Sequence, residues 1–248
     1  MTRLLVSVRS LDEARLALAA GVDLIDLKEP ARGSLGIVGV ATARQVADAL
    51  AGKVPLSMAL GELAEWMDAE WELAGSLPPG IAYAKIGLSR SSKARSVDGI
   101  PWQDEWGRAI RLLPQHCSAV GVVYADWQPA DAPRPAAVLD AAIANGCRAL
   151  LVDTFHKHAG NVFRHCSTGE LADLFARAKS SGMLSVLAGS LSLDDVTAAF
   201  AIGPDYLAVR GAVCRRSRDG DLCPIRLAEW MRTFNMHQMA ASESRRSR

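Results

Sequence analysis

No run of about 18 unbroken apolar residues occurs in the 248-residue chain, so no membrane-spanning helix is expected. Charge of one sign is also missing. The net charge of +1 leaves no global field of the kind that draws a protein to nucleic acid or to a membrane surface. Cysteine is scarce and irregular, at 117, 147, 166, 214 and 223, as expected of reduced thiols in the cytoplasm. Cys147 and Cys214, in or beside apolar runs, read as small core residues. Met1-Thr2-Arg3 leads at once into an apolar strand, without the long apolar segment and cleavage site of a secretion signal. The turn Val8-Arg9-Ser10 lacks GxGxxG, which disfavours a dinucleotide-binding domain. His156, His158, His165 and Cys166 share one segment but match no common zinc spacing, so solvated side chains and no metal are expected. Arg90, Lys93, Arg95 and the tail arginines have no aromatic platform beside them, so no nucleic-acid partner is expected.

What the chain has is a strict alternation. Short apolar runs at residues 4–8, 24–28, 56–60, 83–88, 118–125, 149–154, 184–188 and 206–209 read as strands. Between and after them lie helical stretches: 14–20, 41–50, a long one carrying Trp66 and Trp71 that ends near residue 75, then 102–113, 136–144, 169–180, 194–201 and 224–239. Ser10 and Glu13 have capping-box spacing, and Thr168 and Ser192 read as later caps. Eight βα units with no linker imply one parallel sheet, and in this length a closed (β/α)8 barrel. A single barrel domain is expected over 1–240, with a frayed charged tail over 241–248. The polar, basic segment 89–99 reads as a loop over the mouth.

In such a barrel the chemistry sits at the carboxyl ends of the strands. There the chain carries Asp26 and Lys28 on the second strand, Lys85 on the fourth, and Asp153 with Lys157 on and after the sixth. Side chains alternate along a strand, so Leu24, Asp26 and Lys28 share one face and Ile25 and Leu27 the other. An ordinary lysine has a pKa of about 10.4, and burial among other cations lowers it. A neutral amine can attack a carbonyl. Lys28 is therefore a candidate Schiff-base nucleophile, with Asp26 as its proton partner and Lys85 as general acid and base. Asp153 and Lys157 are a second acid–base pair or a phosphate holder. An ion-pair network closing the barrel top is the alternative reading of the same five residues.

The turns Ala188-Gly189-Ser190-Leu191 and Val209-Arg210-Gly211-Ala212 follow the last two strands, where such barrels often hold phosphate. Gly189 and Gly211 let backbone amides approach an anion, Ser190 offers a hydroxyl and Arg210 a charged fork. Ordinary turn glycines are the plainer alternative. Gly33-Ser34-Leu35-Gly36 is expected to cap a second phosphate, through Ser34, or to act as a lid.

Asp26-x-Lys28-x-Pro30 running into Gly33-Ser34-Leu35-Gly36, then Lys85-Ile86-Gly87, then Val152-Asp153-Thr154 with Lys157, resembles the (5-formylfuran-3-yl)methyl phosphate synthases of methanofuran biosynthesis. The resemblance runs from Leu4 to about Met231. It implies a TIM barrel that condenses two molecules of glyceraldehyde 3-phosphate with loss of phosphate and water, using no cofactor. It implies a Schiff-base lysine at Lys28, a proton-transferring lysine at Lys85, and site roles for Asp26, Asp153 and Lys157. The methanogen sequences differ by carrying Asn where this chain has Glu29, and a basic residue near Ala31. The arginine- and alanine-rich composition looks bacterial, which points to one-carbon metabolism in a methylotroph. The expected partner is a small triose phosphate, and a homo-oligomer is left open. Two other readings stay open: a class I sugar-phosphate aldolase or isomerase, and a non-catalytic barrel that binds a phosphate metabolite.

Overall fold

The strands are mostly apolar and buried on both faces, as parallel strands covered by helices on one side and a filled interior on the other must be. The computed structural model describes residues 1–92 and 100–246. Lys93, Arg95 and the rest of the stretch expected to loop over the mouth at 93–99 lie outside the described residues. The strands are β1 (Arg3–Val8), β2 (Leu24–Leu27), β3 (Leu56–Glu62), β4 (Ile81–Gly87), β5 (Ser118–Tyr124), β6 (Ala149–Asp153), β7 (Leu184–Leu187) and β8 (Tyr206–Val209). All pair in parallel with their neighbours in sequence, and β8 closes on β1. The helices are α1 (Leu11–Ala19), α2 (Val40–Leu50), α3 (Asp68–Gly75), α4 (Trp102–Leu112), α5 (Pro135–Ala144), α6 (Thr168–Ser180), α7 (Val196–Ile202) and α8 (Pro224–Arg246). The molecule is thus a (β/α)8 barrel.

Two apolar clusters follow from the alternation. Leu4, Val6, Ile25 and Leu27 point outward and pack against the helical ring. Leu5, Leu24, Val120, Leu151, Val186 and Tyr206 point inward and fill the lower barrel. Trp106 of α4 and Trp230 of α8 are fully buried in the outer layer. Truncating either to alanine would cost about 3–5 kcal/mol. Among the described residues no helix is long and apolar enough to cross a membrane.

Several local features depart from the sequence reading. The long helix expected around Trp66 is a short 3-10 turn (Leu63–Glu65) followed by α3. Trp66 donates its indole N–H to the Leu60 carbonyl at 2.7 Å, which pulls it out of helical register. Ser167, not Thr168, caps α6: its hydroxyl accepts from the Glu170 amide while the Glu170 carboxylate accepts from the Ser167 amide. The helix expected over 194–201 opens as a 3-10 turn (Leu193–Asp195) and becomes α-helical only from Val196. The last helix runs on through Arg246. At α1 only half of the capping box forms. Ser10 accepts from the Glu13 amide, but the Glu13 carboxylate turns to the Arg210 guanidinium.

Candidate active site

The barrel register aligns three polar residues on adjacent strands: Ser7 of β1 pairs with Asp26 of β2, and Asp26 with Ser57 of β3. Ser7 donates to Asp26 Oδ2 at 3.0 Å and Ser57 to Asp26 Oδ1 at 2.6 Å. Lys85 of β4 forms an ion pair with the same Oδ1. Asp26 is fully buried. Burial works against its charge, but Lys85 and then Lys28 outweigh it and hold the carboxyl below its usual range.

A second pair lies across the mouth. Lys157 Nζ donates to Asp153 Oδ1 at 2.6 Å. Burial again works against the Asp153 charge, and Lys157 and Lys28 together bring the carboxyl down to about 2. The segment that carries Lys157 is pinned by Asp126, which accepts the backbone N–H groups of Phe155 at 2.7 Å and His156 at 2.8 Å.

Lys28 stands between these two pairs. Its amide, just past β2, donates to the Val8 carbonyl at 3.0 Å, which extends strand geometry by one residue. Among the described residues its ammonium forms no ion pair and no side-chain hydrogen bond, although it is only 8% exposed. Burial is the largest influence on it. The Asp153 carboxylate opposes that influence, Lys157 reinforces it, and the amine settles at about 7 instead of near 10.5. Desolvation, more than the neighbouring cations, frees its proton.

Two adjoining cavities meet at Lys28 and Asp153. The inner one, about 40 Å³, reaches Asp26, Ser57 and Lys85 and continues down between apolar side chains. The outer one, about 420 Å³, is bordered by Lys157, Gly189, Ser190, Gly211 and Arg218. Lys28 borders both cavities, Lys85 the inner one and Lys157 the outer one. A small substrate could place a carbonyl at Lys28 and an anionic group among the outer amides and cations.

A profile of the 4-HFC-P synthase family matches residues 4–231. The chain belongs to this family. It is 29% identical to the (5-formylfuran-3-yl)methyl phosphate synthase of Methanosarcina mazei over 87% of this chain and 92% of that protein. It is 32% identical, over 87% of this chain and 84% of the relative, to a Methylorubrum extorquens protein that bears the same synthase name provisionally. Among solved structures, phosphoribosyl anthranilate isomerase from Thermus thermophilus superposes with a TM-score of 0.63 at 16% identity. That match covers 95% of this chain and 99% of the isomerase, and it speaks for the barrel fold alone.

Two residues expected to hold phosphate are engaged elsewhere. Arg210 borders the outer cavity, but all five of its N–H donors are committed: to Glu13 twice, and to the carbonyls of Ser7, Arg218 and Gly220. It is a buried brace between β8 and α1. Ser34 is buried as well, its hydroxyl reaching Asp153 Oδ2 at 3.5 Å and the Thr154 carbonyl at 3.2 Å. Arg218 borders the cavity beside Lys157, and its guanidinium also donates to the Gly33 carbonyl at 3.0 Å. Gly36 explains the tightness of the Gly33–Gly36 loop: a Cβ there would fall 2.1 Å from the Glu29 carbonyl oxygen.

The sequence reading missed Ser7, Ser57 and Arg218. Ser7 and Ser57 were visible as lone hydroxyls in apolar strands; Arg218 sits in a polar turn that offered no signal. Among the described residues no three His, Cys, Asp or Glu side chains converge as a metal would require. His156 turns to Asp126 at 3.1 Å.

Proposed function

We propose that this chain makes (5-formylfuran-3-yl)methyl phosphate from two molecules of glyceraldehyde 3-phosphate, through an imine on Lys28. The observation that carries this reading is the state of Lys28: two mouth lysines are tied to aspartates, and the third is buried, forms no ion pair among the described residues, and titrates at about 7. The neutral Nζ attacks the triose carbonyl, and loss of water gives the imine. Lys85 and Asp26 lie on the inner side of that carbon and move protons during isomerisation and condensation. Lys157 and Asp153 lie on the outer side, where phosphate and water leave. Gly189, Ser190 and Gly211, with Arg218 and Lys157, hold the retained phosphate in the outer cavity. Ring closure to an aromatic furan makes the last steps downhill.

Family membership supports this reaction over a simple aldolase or isomerase on the same scaffold. The product class separates them, because a conjugated furan aldehyde absorbs in the near ultraviolet and a sugar phosphate does not. Wild type and Lys28→Ala are incubated with glyceraldehyde 3-phosphate while phosphate release and near-ultraviolet absorbance are followed together. Wild type is expected to give both signals and Lys28→Ala neither, with its fold intact. Phosphate release without absorbance would reject the furan, and turnover by Lys28→Ala would reject the lysine. In its cell the product would serve as precursor of a methanofuran-type one-carbon carrier.

A further inference from the structure

The segment between β8 and α8 folds back on itself at the barrel mouth. Cys214 and Leu222 pair as an antiparallel bridge, and the Arg215 amide donates to the Asp221 carbonyl at 2.8 Å. Gly220 permits the turn: a Cβ there would stand 2.0 Å from the Arg215 carbonyl oxygen. Arg218 lies within this hairpin, half-buried. Its guanidinium spends one N–H on the Gly33 carbonyl. Its other four N–H donors have no partner among the described residues, and the side chain borders the outer cavity beside Lys157.

A polar hairpin buries little apolar surface of its own, so what it is tied to sets its shape. Arg210, just past β8, donates to the Arg218 carbonyl at 3.1 Å and to the Gly220 carbonyl at 2.8 Å. Arg9, in the turn after β1, takes the residue between them. Its Nη1 donates to the Asp219 carbonyl at 2.8 Å and its Nη2 to the Asp221 carboxylate at 2.6 Å. Glu13 of α1 joins the two arginines. Its Oε2 accepts from the Arg9 amide and from Arg210 Nη1, and its Oε1 from Arg210 Nη2 and from the Leu222 amide at 3.0 Å. Backbone groups of residues 218, 219, 220 and 222 are thus each held by one of three side chains. Arg9 and Glu13 border neither the inner nor the outer cavity, and Arg210 has no donor left for a ligand.

We propose that Arg9, Glu13 and Arg210 are positioning residues for Arg218: they fix the hairpin backbone so that the Arg218 guanidinium stands at the outer cavity with N–H groups to spare for a phosphate. The inference rests on the reading above and deepens its phosphate-holding part. It also gives the buried Glu13–Arg210 pair a task, since a buried ion pair adds little stability over an apolar replacement.

The test is binding of glycerol 3-phosphate, measured by titration calorimetry beside thermal unfolding and furan formation. This probe carries the phosphate of the triose but no carbonyl, so it forms no imine. Arg218→Ala is expected to weaken binding about tenfold. Arg9→Met is expected to weaken it about three- to tenfold, with a melting temperature close to wild type because the side chain is partly exposed. Adding Arg9→Met to Arg218→Ala is expected to weaken binding no further, because Arg9 acts only through Arg218. Asp221→Ala separates positioning from charge. Loss of this exposed carboxylate frees Arg9 and is expected to weaken binding, whereas by field alone removing a negative charge would strengthen it. Glu13→Leu combined with Arg210→Met removes the buried pair without stranding either charge, and is expected to bind as weakly as Arg218→Ala. Wild-type binding in Arg218→Ala, in Arg9→Met or in the Glu13→Leu, Arg210→Met chain would overturn the inference, as would losses that multiply with Arg218→Ala or tighter binding in Asp221→Ala. Furan formation by wild type would stand in each of those cases. The expected binding pattern without furan formation would instead reject the functional reading and leave the inference in place.

Discussion

Asp26 pairs with Lys85, two strands away, and not with Lys28, its neighbour on the same strand face. The pairing leaves the mouth with two bound ammonium groups and one amine that has no ion pair among the described residues. Lys28 is divided from Asp26 in role although the two share a face, and Asp26 serves Lys85 directly.

The first consequence concerns pH. With Lys28 near 7, its neutral fraction climbs from about one tenth at pH 6 to about nine tenths at pH 8. The kcat/KM is expected to rise over that interval and then level. The same shift acts on stability. The folded-state pKa lies below the unfolded value near 10.5, so the unfolded chain binds more protons between pH 7 and 10.5, and stability rises with pH there. Below pH 7 the cost of the buried ammonium is fully felt. Lys28→Met, which removes it, is expected to melt several degrees above wild type at pH 6, as measured by calorimetry.

Lys85→Met separates the two pairs. It leaves Asp26 buried without its cation, at a cost of about 3–5 kcal/mol in denaturant unfolding. It also removes a charge that lowers the Lys28 pKa and leaves Asp26, which raises it, unopposed. Reaction of Lys28 with an aldehyde is therefore expected to persist but to require higher pH, while furan formation is lost.

The two arginines of the β8 segment differ in the same measurable way. Arg210→Met leaves Glu13 buried without its guanidinium and is expected to lower stability by about 3–5 kcal/mol. Arg218→Ala removes a cation that faces the outer cavity. It is expected to raise KM on the order of tenfold, the worth of one charged hydrogen bond, with the melting temperature nearly unchanged. Paired measurements of KM and melting temperature check both.

The barrel was legible because its strands are short apolar runs alternating with helical stretches, and the site because three of only six lysines stand at or just beyond strand ends. Lys28, Lys85, Asp26, Asp153 and Lys157 could be gathered from alternation alone. Who pairs with whom could not. Lys85 reaches Asp26 because the register sets Ser7, Asp26 and Ser57 side by side, and register is a tertiary property. Arg210 misled for a related reason: its partner, Glu13, reads locally as half of a capping box and is claimed by a contact 197 residues away.

The most direct test of the free amine at Lys28 is borohydride trapping during turnover with glyceraldehyde 3-phosphate at pH 7, followed by peptide mapping in a mass spectrometer. A reduced triose adduct on the peptide bearing Lys28, absent from Lys28→Ala, is the predicted result. An adduct confined to Lys85 or Lys157, or an unmodified Lys28 while product accumulates, would contradict it.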